Sequence, residues 1–427
     1  MTATGATMED GPRLDRSRLL EGGRYRFHAM VKPAGSECNI DCHYCFYLHK
    51  SKLLDQGPRP RMDDATLAQH IRQYIEAQDG DEVVFSWQGG EPTLMGLDFY
   101  RRVVELQQAH ARPGQRIEND LQTNGLLLDA EWTAFLKAHR FHVGLSIDGP
   151  RELHDTYRRA RNDKPTFDYV MRAAALLREA EIPFAALCVV NRTNARRARD
   201  VYRFLVDEVG TWRVQFTPAV EPVSFMQVAP AKLPHDQAPR QHERRARPGI
   251  EGAIVTEWSV DPVDYGQFLI AVWDEWMRTD IGRVHVNLFE TAVAQAAGLP
   301  AQMCTQGEFC GKAVAVEHDG EVFACDHFVY PEYRSGNIRQ QHLGNLAFSP
   351  AQMKFGMDKR DTLPRQCMDC DYLKLCYGEC PKNRLIRTDD GEPGLNYLCS
   401  GLYAFYRHID PDVVRILQRI GGQSGAR

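Results

Sequence analysis

Six short apolar runs recur over the first half of the chain, separated by amphipathic stretches, and this alternation limits the folds open to it. The runs are RFHAMVK (26–32), EVVFSW (82–87), RIENDLQT (116–123), FHVGLSI (141–147), FAALCVV (184–190) and TWRVQFT (211–217). Helical periodicity fills the gaps near 64–78, 97–110, 130–139, 167–180 and 195–208. Strands alternating with helices at this spacing read as βα units around a parallel sheet. Six units fall short of the eight that close a barrel. The expected fold is therefore α/β, an open, partial (β/α)6 TIM-like barrel over residues 25–220. Reacting groups of such folds gather where the strands end at their C-terminal side. ECNIDCHYCFY follows the first run, QGGEP the second, QTNG the third and SIDGP the fourth, so four motif-bearing loops point at one rim.

Within the first of these loops, Cys38, Cys42 and Cys45 stand as C-x3-C-x2-C. With 12 Cys in 427 residues, chance produces this spacing in about 1% of such chains. Three thiolates are one fewer than a [4Fe–4S] cube needs, so one iron is left without a protein ligand. A metal with an open coordination position is built for chemistry, as zinc enzymes show. A disulfide framework is the weaker reading of so many cysteines. The chain is large, and its opening MTATGATMEDGPRLDRSRLLEGG has no apolar h-region of a secretory signal. Residues 1–24 read as a flexible lead-in, and the protein as cytoplasmic. A net charge of −5 argues against a general nucleic-acid binder. No apolar run approaches the ~20 residues of a membrane helix, so no membrane partner is expected.

The second half changes character. Residues 221–258, with APAKLPHDQAPRQHERRARPGIEGA, read as a mobile insertion, and the basic run Arg240 to Arg247 as a solvated loop. A helical connector (259–300) contains DYGQFLIAVWDEWMRTD. A Cys-rich, turn-rich domain over 301–410 and a C-terminal tail over 411–427 complete the chain. In that domain Cys304, Cys310 and Cys325 precede Cys367, Cys370, Cys376 and Cys380 (C-x2-C-x5-C-x3-C) and then Cys399. Eight thiolates suit two cubes or two four-thiolate zinc sites, and spacing alone leaves both open. Cys188, in FAALCVV, reads as a core residue behaving as a small hydrophobe.

The triplet, with Tyr44 before its last Cys, resembles the radical S-adenosylmethionine superfamily. There the cofactor's amino and carboxylate groups chelate the fourth iron. An electron from the cluster then cleaves the sulfonium to methionine and a 5′-deoxyadenosyl radical. The resemblance implies cofactor contacts from Tyr44, Gly90 and Glu91 (the GGEP element), Ser146 and Arg158 (ribose and carboxylate, with Asp148), and Val220 (adenine). Gln88 is either a substrate or cofactor hydrogen-bonding group or a packing residue, and Thr123–Asn124–Gly125 either a site loop or a plain turn. The later cysteines resemble the SPASM extension, which holds two auxiliary [4Fe–4S] clusters. By that resemblance Cys304, Cys310, Cys325 and Cys380 hold one, and Cys367, Cys370, Cys376 and Cys399 the other.

Within the SPASM proteins, VKPAGSECNIDCHYCFY, FSWQGGEPTLMGLDFY, LQTNGLLLD, VGLSIDGPRELHD, CDHFVYPEYRSGNI and LNYLC look like the anaerobic sulfatase-maturating enzymes. The likeness covers about 25–415, excepting the insertion. It implies oxidation of a Cys or Ser, in a C/S-x-P-x-R-type segment of a sulfatase, to Cα-formylglycine. The radical removes a Cβ hydrogen; loss of a proton, to Asp326 by resemblance, and of an electron, to the auxiliary clusters, completes a two-electron oxidation. A Cys substrate would pass through a thioaldehyde, hydrolysed with release of sulfide. Flavodoxin or ferredoxin is the implied reductant. A SPASM peptide maturase forming thioether or carbon–carbon crosslinks shares the initial chemistry and is the alternative. A non-catalytic Fe–S or zinc protein would leave QGGEP and SIDGP without a role.

Overall fold

The computed structural model describes residues 12–14, 26–234, 236 and 238–424. Each of the six apolar runs forms a strand: β1 His28–Lys32, β2 Glu82–Trp87, β3 Arg116–Thr123, β4 His142–Ser146, β5 Phe184–Val190 and β6 Arg213–Pro218. They pair in chain order, all parallel. Helices Asp64–Ala77, Leu97–His110, Ala130–Ala138 and Phe167–Glu179 connect them. Asp63 and Asp129 cap two of these helices, accepting from Thr66 N–H and Trp132 N–H, which satisfies amides that a first turn leaves unpaired. The stretch expected as one helix over 195–208 is an α-helix only over Ala198–Arg203, and the chain then widens into a π turn, Phe204–Glu208.

Strand faces alternate in the way a half-filled barrel requires. Val83, Phe85 and Trp87, with Leu121, Val143, Leu145, Ala186 and Val214, are buried against the helices. The opposite face carries Ser86, Asp120, Gln122, His142, Arg213 and Gln215, which line a cavity. Closed barrels fill that space with branched apolar side chains; here it is polar and open.

The sheet continues past the six expected strands. A two-residue β7 (His285–Val286) lies parallel to β6. On the other edge β8 (Ala313–Glu317) runs parallel to β1, and β9 (Glu321–Phe323) and β10 (Arg334–Asn337) follow antiparallel. One ten-stranded sheet, β10-β9-β8-β1-β2-β3-β4-β5-β6-β7, therefore spans the barrel and the start of the Cys-rich part. These strands escape a sequence reading because they are short and sit among turns.

Two other segments differ from expectation. The 221–258 stretch is closed on itself where Pro222 bridges Val255 and Val223 N–H donates to Ile254 O. It is anchored to the rest of the chain by Tyr330 Oη, which donates to Phe225 O at 2.6 Å, and by the bridge of Arg240 to Arg387. Phe225, Ala229, Ala246, Val255 and Trp258 are buried; their spacing among charged residues hides them from a composition average. Residues 411–424, expected as a tail, continue the helix Cys399–Ser424 through Pro411. The lead-in 1–24 lies outside the described residues except for 12–14.

The Cys399–Ser424 helix crosses Pro262–Thr279 at two glycines. A Cβ on Gly401 would lie 1.9 Å from Pro262 O, and one on Gly266 2.5 Å from Gly401 O. Such contact requires hydrogen at both positions. Gly401→Val should force the helices apart and cost about 1–3 kcal/mol, read as a lower denaturation midpoint; an unchanged midpoint would refute the close crossing.

Candidate active site and cysteine clusters

Beyond β1 the chain enters the triplet loop, and the GGEP loop beyond β2 is laid against it backbone to backbone. Gly90 N–H donates to Gly35 O at 3.0 Å and Glu91 N–H to Glu37 O at 2.8 Å. A Cβ on Gly90 would stand 1.9 Å from Glu37 O, so only glycine allows this contact. The Glu91 side chain is engaged within the protein. Its buried carboxylate accepts from Thr93 N–H (3.0 Å), Thr93 Oγ1 (2.6 Å), Thr123 Oγ1 (2.8 Å) and Asn124 N–H (2.8 Å). Three of these bonds converge on Oε1, and Oε2 takes the one from Asn124 N–H. Glu91 therefore ties the GGEP and TNG loops together through its carboxylate, and the triplet loop through its backbone N–H. Asn124, fixed by this network, donates from Nδ2 to Asn39 Oδ1 at 2.7 Å and approaches Cys38 Sγ at 3.7 Å, which makes the TNG turn part of the site.

Tyr44, Asp148 and Arg158 meet in one buried group. Tyr44 Oη donates to Asp148 Oδ2, Arg158 Nε lies 3.1 Å from the same oxygen, and Val189 N–H donates to Oδ1 at 3.0 Å. Arg158 also stacks over the Tyr44 ring. Its Nε lacks an aligned hydrogen bond, so the Asp148 contact is an ion pair without ideal geometry. Ser146 is buried at the end of β4, and Val220 is buried beyond β6 with its carbonyl accepting from Lys382 Nζ. Gln88 lies at the inner mouth of β2, lining the cavity. The triplet itself packs with Tyr44, Ala219, Phe225 and Trp258. Burial pushes its thiols up, Cys42 to about 12. Such thiols become thiolates only with a bound cation to offset the lost solvation, which is what three donors around an iron cluster would have.

Asp326 was read from its neighbours in sequence; its partner was not. Its carboxylate pairs with Lys32 Nζ, buried at the inner end of β1. Burial works against the charge, but the Lys32 ammonium and neighbouring cations outweigh it and hold Asp326 below the usual carboxylate range. Lys32 also faces the Tyr47 ring at 4.8 Å, and Tyr47 Oη donates to Glu317 of β8. A lysine closing the apolar strand HAMVK, on the same face as His28 and Met30, was the available signal. Lys382 and Glu221, joined at 2.8 Å and both buried, are a second pair that sequence reasoning missed.

The later cysteines form two groups. Cys325 feels the charges of Cys380 and Cys304, and Cys310 that of Cys304. Lys359 Nζ donates to the carbonyls of Cys304 and Thr305 beside them. Cys367, Cys370, Cys376 and Cys399 together line a cavity of about 430 Å³. Among the described residues, no three or more His, Cys, Asp or Glu converge as a single-ion site requires. All twelve cysteines are free, and Cys188 is a buried β5 residue.

The Radical SAM superfamily model matches residues 33–205, and the iron–sulfur cluster-binding domain SPASM matches 304–371. Those matches, with the parallel sheet and the triplet loop on its rim, define a radical S-adenosylmethionine enzyme with a cluster-binding extension. The serine-type anaerobic sulfatase-maturating enzyme of Bacteroides thetaiotaomicron is 41% identical over 90% of this chain and 89% of its own. The cysteine-type enzyme of Clostridium perfringens is 30% identical over 92% and 98%. The structure of native anSMEcpe with bound AdoMet superposes with a TM-score of 0.77 at 30% identity, covering 91% of this chain and 98% of that one. The chain belongs to the anaerobic sulfatase-maturating enzymes. SuiB of Streptococcus suis, TM-score 0.58 at 16% identity over 88% of this chain and 77% of that one, shares the fold. No helix among the described residues is long and apolar enough to cross a membrane.

Glu91→Gln should turn one acceptor of the loop tie into a donor facing hydroxyl and amide donors. We expect a loss of about 1–3 kcal/mol in denaturant unfolding and weaker S-adenosylmethionine binding by equilibrium dialysis. Wild-type values for both would mean that the tie does not hold the rim together.

Proposed function

We propose that this enzyme oxidises a Cys or Ser side chain in a C/S-x-P-x-R-type segment of a sulfatase to Cα-formylglycine. The observation that carries this reading is the Lys32–Asp326 pair. It sets a carboxylate, adjacent in the chain to Cys325, at the inner mouth of the barrel whose rim bears Cys38, Cys42 and Cys45. When bound, S-adenosylmethionine and a [4Fe–4S] cluster held by that triplet supply the 5′-deoxyadenosyl radical that takes a Cβ hydrogen.

The protein's own residues do the rest. Tyr44, Gly90, Ser146, Arg158 and Val220 shape the cofactor's seat, and Glu91 fixes the loops around it. Gln88 hydrogen-bonds the segment in the mouth of the barrel. A carboxylate oxygen of Asp326 takes the proton from the thiol or hydroxyl, and Lys32 holds that oxygen in place; a base must sit within hydrogen-bond reach of its proton. Cys304, Cys310, Cys325 and Cys380 would hold one auxiliary [4Fe–4S] cluster next to Asp326, and Cys367, Cys370, Cys376 and Cys399 a second. This gives three clusters in all. A flavodoxin or ferredoxin is the reductant, and the reducing cytoplasm is the compartment that suits an open-iron cluster. The serine-type name of the relative at 41% identity makes a seryl segment the first substrate to try.

The test is anaerobic reconstitution, reduction and incubation with S-adenosylmethionine and paired peptides containing Ser or Cys at the reacting position, read by mass spectrometry. Deoxyadenosine together with a formylglycine-containing peptide is expected. Deoxyadenosine beside unmodified peptides would move the reading to peptide crosslinking or another substrate. Asp326→Asn should retain cofactor cleavage and lose most of the aldehyde; full product in this variant would refute the base. Replacing Cys38, Cys42 or Cys45 by Ala should abolish cleavage and product alike, and surviving reductive cleavage would undo the triplet assignment.

A further inference from the structure

Below Gln88 the barrel is hollow. A cavity of about 250 Å³ runs along the inner faces of β2 to β6, between Ser86, Gln88, Asp120, Gln122, His142, Arg213 and neighbouring backbone. That volume far exceeds the ~15 Å³ a single water centre needs, so a side chain of a bound segment has room to enter it. The register fixes its depth: Ser86 pairs with Met30 on one side and Asp120 on the other. Lys32 and Gln88 each lie two residues further along their strands. Asp120 therefore stands one pleat repeat, about 7 Å, below the level at which Lys32 meets Asp326.

Asp120 is the acidic group lining this space, and it keeps an open acceptor. Its Oδ2 accepts from Ser86 Oγ at 3.2 Å, and Oδ1 has no hydrogen-bond partner among the described residues. The charges that bear on it are His142, His28 and Glu118; none of them is an Arg or Lys. Glu118 is already paired with Arg116 at 3.0 Å and His142 at 3.6 Å. On the opposite wall Arg213 Nε is bound to Asn287 Oδ1 at 2.9 Å. Burial pushes the Asp120 carboxyl up against the pull of His142 and His28, and neither of these is a permanent cation. A planar guanidinium is the donor that best matches an open carboxylate.

We propose that Asp120 is the specificity residue that receives the arginine of the substrate segment, inside the barrel and one pleat repeat below the reacting side chain. The inference rests on the proposed function. A segment of this type has a Pro between the reacting residue and the arginine; Pro favours a turn there, and the long arginine side chain then points down the cavity.

The test uses the reconstituted holoenzyme and three peptides that differ only at the last motif position: arginine, citrulline or glutamine. On wild type, loss of the charge in citrulline should raise KM about tenfold, the factor that 1.4 kcal/mol represents, while kcat changes less. Asp120→Asn should raise KM for the arginine peptide by a similar factor and leave the glutamine peptide within about twofold. The two losses should thus fail to add, the signature of a direct pair. Glu118→Gln, lower on the same strand, should leave the arginine preference intact. Equal KM for arginine and citrulline on wild type would overturn the inference, with no variant involved. Equal losses on all three peptides in Asp120→Asn would overturn it as well, by marking a structural role. If wild type cleaves the cofactor but converts no such peptide, the proposed function falls and the Asp120 assignment falls with it; conversion without arginine preference removes only the assignment.

Discussion

The parallel pairing of β1 with β8 is the constraint on which the rest of the molecule depends. Five consecutive residue pairs, His28 with Ala313 through Lys32 with Glu317, join the first strand of the barrel to a strand almost three hundred residues later. A slip of one residue would turn every side chain to the opposite face. With the register held, Glu317 stands beside Lys32, and β9 returns the chain so that Cys325 and Asp326 arrive above the same strand. The cofactor-side loops and the Cys-rich extension thus share one backbone ladder, and the Lys32–Asp326 contact follows from it. The pairing also covers a strand edge that would otherwise expose unpaired amides.

Charge is buried around the site in pairs: Lys32 with Asp326, Lys382 with Glu221, and Arg158 with Asp148. Desolvation makes such pairs poor sources of net stability, whereas removing one partner is costly. Their effect is on position. Lys32–Asp326 and Lys382–Glu221 join segments far apart in sequence, and all three pairs sit beside a loop that bears a cysteine or a proposed cofactor contact. Glu91 does the same with four neutral donors. The site is therefore held by polar ties around an open, polar barrel interior, where an apolar filling would have left no room for a guest.

Much of this was legible in the sequence, for identifiable reasons. The six strands have strong period-two or continuous apolar character, so their positions agree with the structure to within about two residues. The cysteine spacings are local and survive any fold. The loop-tying role of Glu91 is hidden from the sequence, because two of its four donors come from Thr123 and Asn124, about thirty residues away. The short strands β7 to β10 carry too few residues for a periodic signal. In 221–258, a handful of buried aromatic and aliphatic residues is diluted by charge, and their contacts with the triplet loop are all long-range.

The sequence by itself determined the class of chemistry, because thiol spacing, glycine at the crowded loop and the strand–helix rhythm act over a few residues to a few tens. It also supplied Asp326, through the motif that contains it. Only the tertiary structure decided that Asp326 meets Lys32, that Glu91 ties three loops together, and that Asp120 faces an open cavity. Those facts depend on strand register and on which residues share an inner face, and register is a property of paired strands that no single stretch of chain contains.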